Sequence, residues 1–348
     1  MTSYLRPLAV VYGPDAVAMI RSGQAAPLTG RSDLAFTRVQ WIERNGTSIS
    51  SRIVGIEEAT RHPLFATITA KRPDFGPLSL GTTHIMGIVN VTPDSFSDGG
   101  LHKDSQSAVK VALQMSADGA AVLDIGGEST RPGGAEVSID EEHDRVMPIV
   151  EALAKAHLVS IDTRKGPIMR EALQKGATII NDVSALQFDS ASPAVVANAG
   201  APVILMHAQG IPATMQHAPV YDNVVLDVYD QLQALIAKAQ EAGIKRSQIM
   251  VDPGIGFGKS FSQNLQLLNN LALFHGLGVG LLVGLSRKGF IGAITGEKTA
   301  SYRLGGSIAG ALHAATQGIQ ILRVHDVKQT VTALQVFRAV SDPDSVSI

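Results

Sequence analysis

Met86–Gly100, MGIVNVTPDSFSDGG, opens as an apolar, β-branched run and breaks at Asn90 into a loop of small and polar residues. With Ile85 ahead of them, Ile88 and Val89 read as part of a buried parallel strand, which is apolar on both faces. From Asn90 to Asp98 the loop carries an amide, two carboxylates and three hydroxyls, and Gly99-Gly100 lets it bend. That is more polarity than a simple connector needs.

The same pattern of apolar run and polar end recurs down the chain. Eight strand candidates follow one another: His84–Asn90, Val122–Gly127, Leu158–Thr163, Thr178–Ser184, Pro202–His207, Ile249–Gly254, Leu281–Ser286 and Ile321–Asp326. Amphipathic segments lie between them, notably Ser107–Gly119, Asn223–Gly243, Arg303–Gly318 and Val327–Val340. Eight strand–helix units over this length predict a (β/α)8 TIM barrel. A doubly wound sheet is the alternative. The strand ends favour the barrel, because nearly every one is polar or Gly-rich, and only a barrel brings all eight to one face. Residues 1–75 read differently, as a small N-terminal extension, with 76–348 forming the barrel domain. In the extension, Thr37–Ile42 and Leu64–Ala70 predict short strands, Ala16–Arg21 a helical turn or two, and Arg44-Asn45-Gly46 a turn.

Composition narrows the function classes. The chain has 348 residues, 45% hydrophobic and 17% charged, with a formal net charge of −2. Nothing in that balance predicts binding to nucleic acid or to an anionic membrane. Cysteine is absent, so disulfides, thiolate metal sites and a cysteine nucleophile are excluded. No apolar run reaches membrane-spanning length and the N-terminus lacks a signal-type apolar core, so a cytoplasmic protein is expected.

Individual residues separate from their structural alternatives by context. An Asp at a strand end is often the N-cap of the next helix, and Asp182 and Asp326 are read that way. Asp162 and Asp252 lie inside apolar runs, where a carboxylate needs a donor. With Asn181 they form a rack suited to a heterocycle bearing N–H donors. Arg323 and His325 lie two apart, on one strand face, and suit an anion. Thr130-Arg131 and Ser286-Arg287-Lys288 add polar and cationic clusters at other strand ends. Asp252–Ser260, DPGIGFGKS, mimics a phosphate-binding loop but has Pro253 where the first glycine is needed. It reads instead as a strand-end loop displaying Phe257. Met206, at the end of its strand, can pack its thioether on a flat ring. His102, His143 and His157 have no zinc-ligand spacing.

MGIVNVTPDSFSDGG, VLDIGGESTRPGG, SIDT, IINDVSAL, DPGIGFGK, GLSRKGFIG and LRVHDV occur in this order. Together they resemble the dihydropteroate synthases, a pterin-binding TIM-barrel family, over residues 84–340. The resemblance implies a transferase of folate biosynthesis. It would join 6-hydroxymethyl-7,8-dihydropterin pyrophosphate to p-aminobenzoate with Mg2+ as cofactor, releasing pyrophosphate. It also implies a homodimer and a sulfonamide target. Carried over residue by residue, it places Asp162, Asn181, Met206, Asp252 and Lys288 around the pterin. Thr130, Arg323 and His325 would contact the pyrophosphate, Asn90 the Mg2+. Thr130, Pro132, Phe257 and Ser286 would border the p-aminobenzoate slot. Asp98 and Arg131, on loops over the reacting centre, join Asp162 and Lys288 as expected catalytic residues, and Thr92–Gly100 is expected to act as a lid.

Three positions depart from the family pattern: Arg164 after SIDT, Ala208 within MHAQG, and Gly289 after SRK. Two rival readings share the pterin rack. One is a pterin-binding methyltransferase barrel, against which the TPDSFSDGG loop and Arg323-Val324-His325 argue. The other is a catalytically inactive pterin-binding homologue, against which the filled site positions argue.

Overall fold

A computed structural model describes residues 1–91, 101–129, 136–210 and 220–345. Four strands precede the barrel: β1 (Thr2–Tyr12), β2 (Ala26–Pro27), β3 (Leu34–Asn45) and β4 (Ser48–Gly55). They form one antiparallel sheet in which β1, β2 and β4 all pair with β3. Gly46, at φ +60°, closes the tight β3–β4 turn that Asn45-Gly46 signals. Gly13–Arg21 is helical.

One strand here is unforeseen and one local expectation fails. β1, a full-length strand, has no clear signature in the sequence, because Pro7 and a mixed burial pattern hide its alternation. Leu64–Thr69 is a helix, not a strand. His62 Nδ1 accepts the Leu64 N–H at 3.0 Å, and Ile68 is fully buried. Tertiary packing overrides the β-branched composition.

The eight strands of the barrel follow: β5 (His84–Asn90), β6 (Val122–Gly126), β7 (Val159–Asp162), β8 (Ile179–Asp182), β9 (Val203–Met206), β10 (Ile249–Asp252), β11 (Gly280–Gly284) and β12 (Ile321–Val324). All pair in parallel, in sequence order, and β12 closes onto β5. Each expected strand is present, mostly shorter at its C-terminal end, where the polar residues leave the ladder to form loops. The four amphipathic segments are helices, Leu101–Ala117, Val224–Glu241, Leu304–Ala315 and Val327–Ser341. No described helix is long and apolar enough to cross a membrane.

Side chains alternate along every strand, so one register decides what fills the barrel. Its lower layer is apolar: Met86, Val122, Ile179, Ile204, Met250, Leu282 and Ile321 form one buried cluster with Phe75, Leu78 and Leu80. The segment before β5 therefore plugs the barrel floor, with Phe75 only 1% exposed. Two residues further up the same strands, the inward positions become Asp124, Asn181, Met206, Asp252 and Arg323. One polar layer thus rests on one apolar layer.

The N-terminal sheet packs against the outside of the barrel. Tyr4 Oη donates to Asp230 at 2.9–3.0 Å, and Arg44 Nη1 to Asp227 at 2.6 Å, both on the helix Val224–Glu241. Arg72 Nη2 donates to the His275 carbonyl at 2.7 Å, and the Tyr12 and Phe337 rings meet edge-on at 5.3 Å.

Removing the plug tests the floor. Phe75→Ala is expected to lower stability by about 3–5 kcal/mol, read by urea unfolding, with ligand affinity per folded molecule unchanged. A loss below about 1 kcal/mol would mean that the floor is not closed by Phe75.

Candidate active site

The polar layer is organised by one guanidinium. Arg323 Nε donates to Asp124 Oδ2 and Arg323 Nη2 to Asp162 Oδ2, each at 2.6 Å. Asn181 Nδ2 donates to the same Asp124 oxygen at 3.0 Å. Asp124 is completely buried, and Asp162 and Asn181 nearly so. The ties run across the barrel, from β12 to β6 and β7 and from β8 to β6. Asp124 belongs to this constellation, yet sequence reasoning passed over it as a site residue. Its only signal was a carboxylate inside the apolar run VLDIG, the same signal that singled out Asp162 and Asp252.

The second half of the layer faces it. Asp252 Oδ1 accepts the Gly254 N–H at 2.7 Å, which leaves Oδ2 for another donor. A side chain at Gly284 would meet Arg323 and Asp252 Oδ2 at 3.8–3.9 Å, and one at Gly126 would meet Asp162 at 3.4–3.7 Å. Both glycines lie at the level of the rack, and an added Cβ would make ordinary contact there. Met206 ends β9 in register with Asp252. Lys288 Nζ sits 4.0 Å above the Phe257 ring, an ammonium over a π-face. Ser286 Oγ lies 3.1 Å from His325 Nδ1 and accepts the His325 N–H at 3.3 Å, so Ser286 holds the histidine beyond the end of β12. Asn90 ends β5 opposite Gly126 and is half-buried.

The structure thus brings Asp162, Asn181, Met206, Asp252 and Arg323 into one layer, with Asn90 at its level. Lys288, Phe257, Ser286 and His325 stand on the strand-end loops of the same face. Asp98, Thr130, Arg131 and Pro132 lie outside the described residues, as does the expected lid, residues 92–100. Arg323 also forms the core ion pair usual for an arginine on an inner strand.

Two capping expectations are corrected. Asp182 caps no helix; it accepts the Ser184 and Leu186 N–H groups at 2.7 and 2.8 Å and so shapes a loop. Asp326 occupies an N-cap position, but its carboxylate is taken by Arg287, at 3.0 and 2.5 Å, which turns Arg287 away from the cationic cluster expected of it.

Arg164, the first departure from the family pattern, has a structural account. It grips Glu128 with two parallel bonds of 3.0 and 2.9 Å and stacks 3.8 Å over Phe188. Lys165 Nζ reaches Glu142 Oε2 at 2.5 Å and Glu128 Oε2 at 3.4 Å, completing a buried network behind β6 and β7. At Gly289 an added Cβ would meet nothing within 4 Å, so the backbone there accepts the serine expected by resemblance. Arg164, Phe188, Met206, Ala208 and Phe257 line a cleft of ≈ 550 Å³ beside the rack. The rack carboxylates do not form its wall.

Electrostatics set the protonation of the layer. Burial pushes the Asp162 carboxyl up to about 7; Arg323 opposes the rise, and Asp124, Glu142 and Asp182 add to it. Burial also raises Asp252, against its Gly254 bond and the nearby Lys288. Burial works against the Arg323 charge, but the facing Asp124 and Asp162 carboxylates raise its pKa. One cation shared by two buried carboxylates leaves the layer short of positive charge.

A family model for pterin binding enzymes matches residues 86–325. The chain therefore belongs to the pterin-binding enzymes. Within them it belongs with the dihydropteroate synthases. The Escherichia coli (strain K12) dihydropteroate synthase is 51% identical over 264 residues, 75% of this chain and 93% of that protein. A Xanthomonas albilineans dihydropteroate synthase solved with 4-aminobenzoic acid superposes with a TM-score of 0.72 at 47% identity, covering 78% of this chain and 96% of that one. A Yersinia pestis dihydropteroate synthase in a sulfonamide drug complex gives a TM-score of 0.72 at 46% identity, covering 76% and 96%.

The raised Asp162 carboxyl makes a signed prediction. In the unfolded chain the group titrates near the ordinary carboxylate value. The folded chain binds the extra proton between about pH 4 and pH 7, so this group's contribution to stability falls as pH rises through that window. Asp162→Asn is expected to raise Tm above wild type by roughly 1–2 °C at pH 8, the shift that ~1 kcal/mol gives in a chain of 348 residues. At about pH 4 the two should coincide. A variant less stable than wild type at pH 8 would show that Arg323 needs both carboxylates.

Proposed function

We propose that this chain condenses 6-hydroxymethyl-7,8-dihydropterin pyrophosphate with p-aminobenzoate to give 7,8-dihydropteroate and pyrophosphate. The observation that carries the reading is the buried rack of Asp162, Asn181 and Asp252 around Arg323, at the mouth of a closed barrel. An aminopyrimidine edge presents N–H donors that fit the free oxygen of Asp252 and the amide of Asn181. Lys288 donates to ring acceptors, and the Met206 thioether packs against the ring face. The methyltransferase reading shares this rack; the 51% identity to a named synthase is what favours the synthase.

The chemistry follows from charge. The C–O bond at the pterin methylene breaks with its electron pair leaving on pyrophosphate, and the methylene gains cationic character. The arylamine nitrogen attacks that carbon, and the proton it loses as the C–N bond forms passes to the departing pyrophosphate or to water. Asp162 stabilises the cation through the ring, while Arg323 and His325 favour the departing anion. The Phe257 ring, under the Lys288 ammonium, supports the arylamine, with Ser286 beside it. We favour a dissociative path, because the motifs hold no strong general base aimed at the amine. Asp98, Thr130, Arg131 and Pro132 are assigned by resemblance to the loops over this centre.

The donor set fits Mg2+ arriving with its substrate. Among the described residues no three His, Cys, Asp or Glu side chains gather into a metal cluster. Asn90 offers one hard amide oxygen at the mouth, enough for a cation that takes its other ligands from water and phosphate. Bound there, Mg2+ would neutralise charge on the leaving pyrophosphate. We further propose a homodimer, in line with the resemblance, with Val336 and Val340 exposed on the last helix. A cytoplasmic location fits a pyrophosphate-activated substrate that does not cross membranes.

Pyrophosphate release from the pterin pyrophosphate, with Mg2+ and on adding p-aminobenzoate, tests the reading. Amine-dependent release is expected; none would leave an inactive pterin binder. Lys288→Ala is expected to weaken pterin pyrophosphate binding by about tenfold or more, a loss of ~1.4 kcal/mol, measured by calorimetry. Near-normal affinity would put Lys288 outside the pocket. Scrambling of pyrophosphate oxygens without amine is expected on the dissociative path, and its absence would count against that path.

A further inference from the structure

The Gly-Lys-Ser that imitates a phosphate loop does the reverse of binding phosphate. Lys259 is 2% exposed, and its ammonium points into its own loop. Nζ donates to the carbonyls of Gly254 and Phe257, both at 2.9 Å, and of His207 at 3.3 Å. The third N–H is shared between that His207 carbonyl and His207 Nδ1, the nearer at 2.9 Å. No carboxylate is among these partners. His207 Nε2 lies 2.8 Å from Gln231 Oε1, so Nε2 carries the proton and Nδ1 accepts from the ammonium. Burial, with Lys259 next to it, pushes His207 down to about 3, which keeps the imidazole neutral.

The loop that Lys259 gathers has little freedom left. Gly254, Gly256 and Gly258 all have positive φ, of +68°, +85° and +62°. Gly256 N–H donates to Asn264 Oδ1 at 2.6 Å, and the Gly258 carbonyl accepts from Tyr221 Oη at 2.9 Å. On its outer side, a Cβ at Gly256 would meet Lys288 Cδ at 3.1 Å, and the Phe257 ring lies under Lys288 Nζ. A single thickness of backbone therefore separates two lysine amines, one at the mouth and one buried inside the loop, where burial pushes Lys259 down to about 7.

We propose that Lys259 is a positioning residue for the aromatic amine: by drawing in the Gly254 and Phe257 carbonyls it fixes the Phe257 ring under Lys288, and so shapes the surface on which the arylamine lies. The proposal rests on the reading that Phe257 borders the p-aminobenzoate slot. It assigns Lys259 a part in the reaction without contact with either substrate. The pterin rack meets this loop at two points only, the Asp252–Gly254 bond and the Lys288 ammonium over Phe257, so the loop bears on the amine more than on the pterin.

Steady-state kinetics with p-aminobenzoate, together with calorimetric binding of the pterin pyrophosphate, test this on the full chain. Lys259→Met keeps the aliphatic stem and removes the ammonium. It is expected to raise KM for p-aminobenzoate at least tenfold while the Kd for pterin pyrophosphate stays within threefold. Phe257→Ala is expected to raise the same KM, and the double variant to be no worse than the poorer single one. If Phe257→Ala leaves KM unchanged, the slot reading fails. If Phe257→Ala raises it and Lys259→Met does not, the positioning role fails. A parallel loss of amine and pterin affinity in Lys259→Met would reduce the residue to a structural support. Should Lys259→Met not fold, His207→Gln, which removes the imidazole partner, is expected to show the same split at about threefold in KM, and no split would overturn the proposal.

Discussion

Arg323 is one cation set among buried carboxylates, and the mouth of the barrel takes its form from that imbalance. Isolated charges do not persist in a dry interior unless they are paired and hydrogen-bonded. Asp124 and Asp162 take two of the guanidinium's donor groups, and Asn181 supports Asp124 from a third strand. Asp124 Oδ1 and Asp162 Oδ1 are buried without a partner. A donor group brought into the layer would satisfy those acceptors. The layer is stable enough to persist and incomplete enough to bind.

That layer is possible because the barrel floor is closed beneath it. Period-two alternation fills the lower positions with Met86, Val122, Ile204, Met250 and their neighbours, and Phe75 seals them from below. The polar residues two positions higher therefore face one opening only. Gly126 and Gly284 border Asp162, Asp252 and Arg323, where an added Cβ would make ordinary contact with them. Beyond the strand ends, the loops are held from behind. Lys259 gathers the Phe257 loop, Asp326 holds Arg287, and Ser286 holds His325. The chemistry is displayed on loops, and buried polar side chains fix their shapes.

Much of this was legible in the sequence, for a physical reason. Parallel strands buried on both faces read as apolar runs, and the polar residue that ends each run marks the catalytic face of a barrel. Asp162, Asn181 and Asp252 stood out because a carboxylate or amide in such a run needs a partner. The partners themselves were not legible. Asp124 and Arg323 are 199 positions apart and meet only when β12 closes against β5, which stands between β12 and β6. Arg164 looked like a misfit until Glu128 and Phe188 surrounded it. Leu64–Thr69 read as a strand because its composition is β-branched, while its helix depends on packing against distant residues. Lys259 lies in a near miss of a phosphate-loop pattern, and only the fold reveals that its amine turns inward.

The central claim is that Asp124, through Arg323 and Asn181, builds the pterin pocket without standing in the expected binding set. Calorimetric titration of Asp124→Asn with pterin pyrophosphate tests it most directly. The account predicts affinity weakened by about tenfold or more, ~1.4 kcal/mol, in a folded chain, because the guanidinium loses one of its two anchors. Unchanged affinity in a folded Asp124→Asn variant would contradict it.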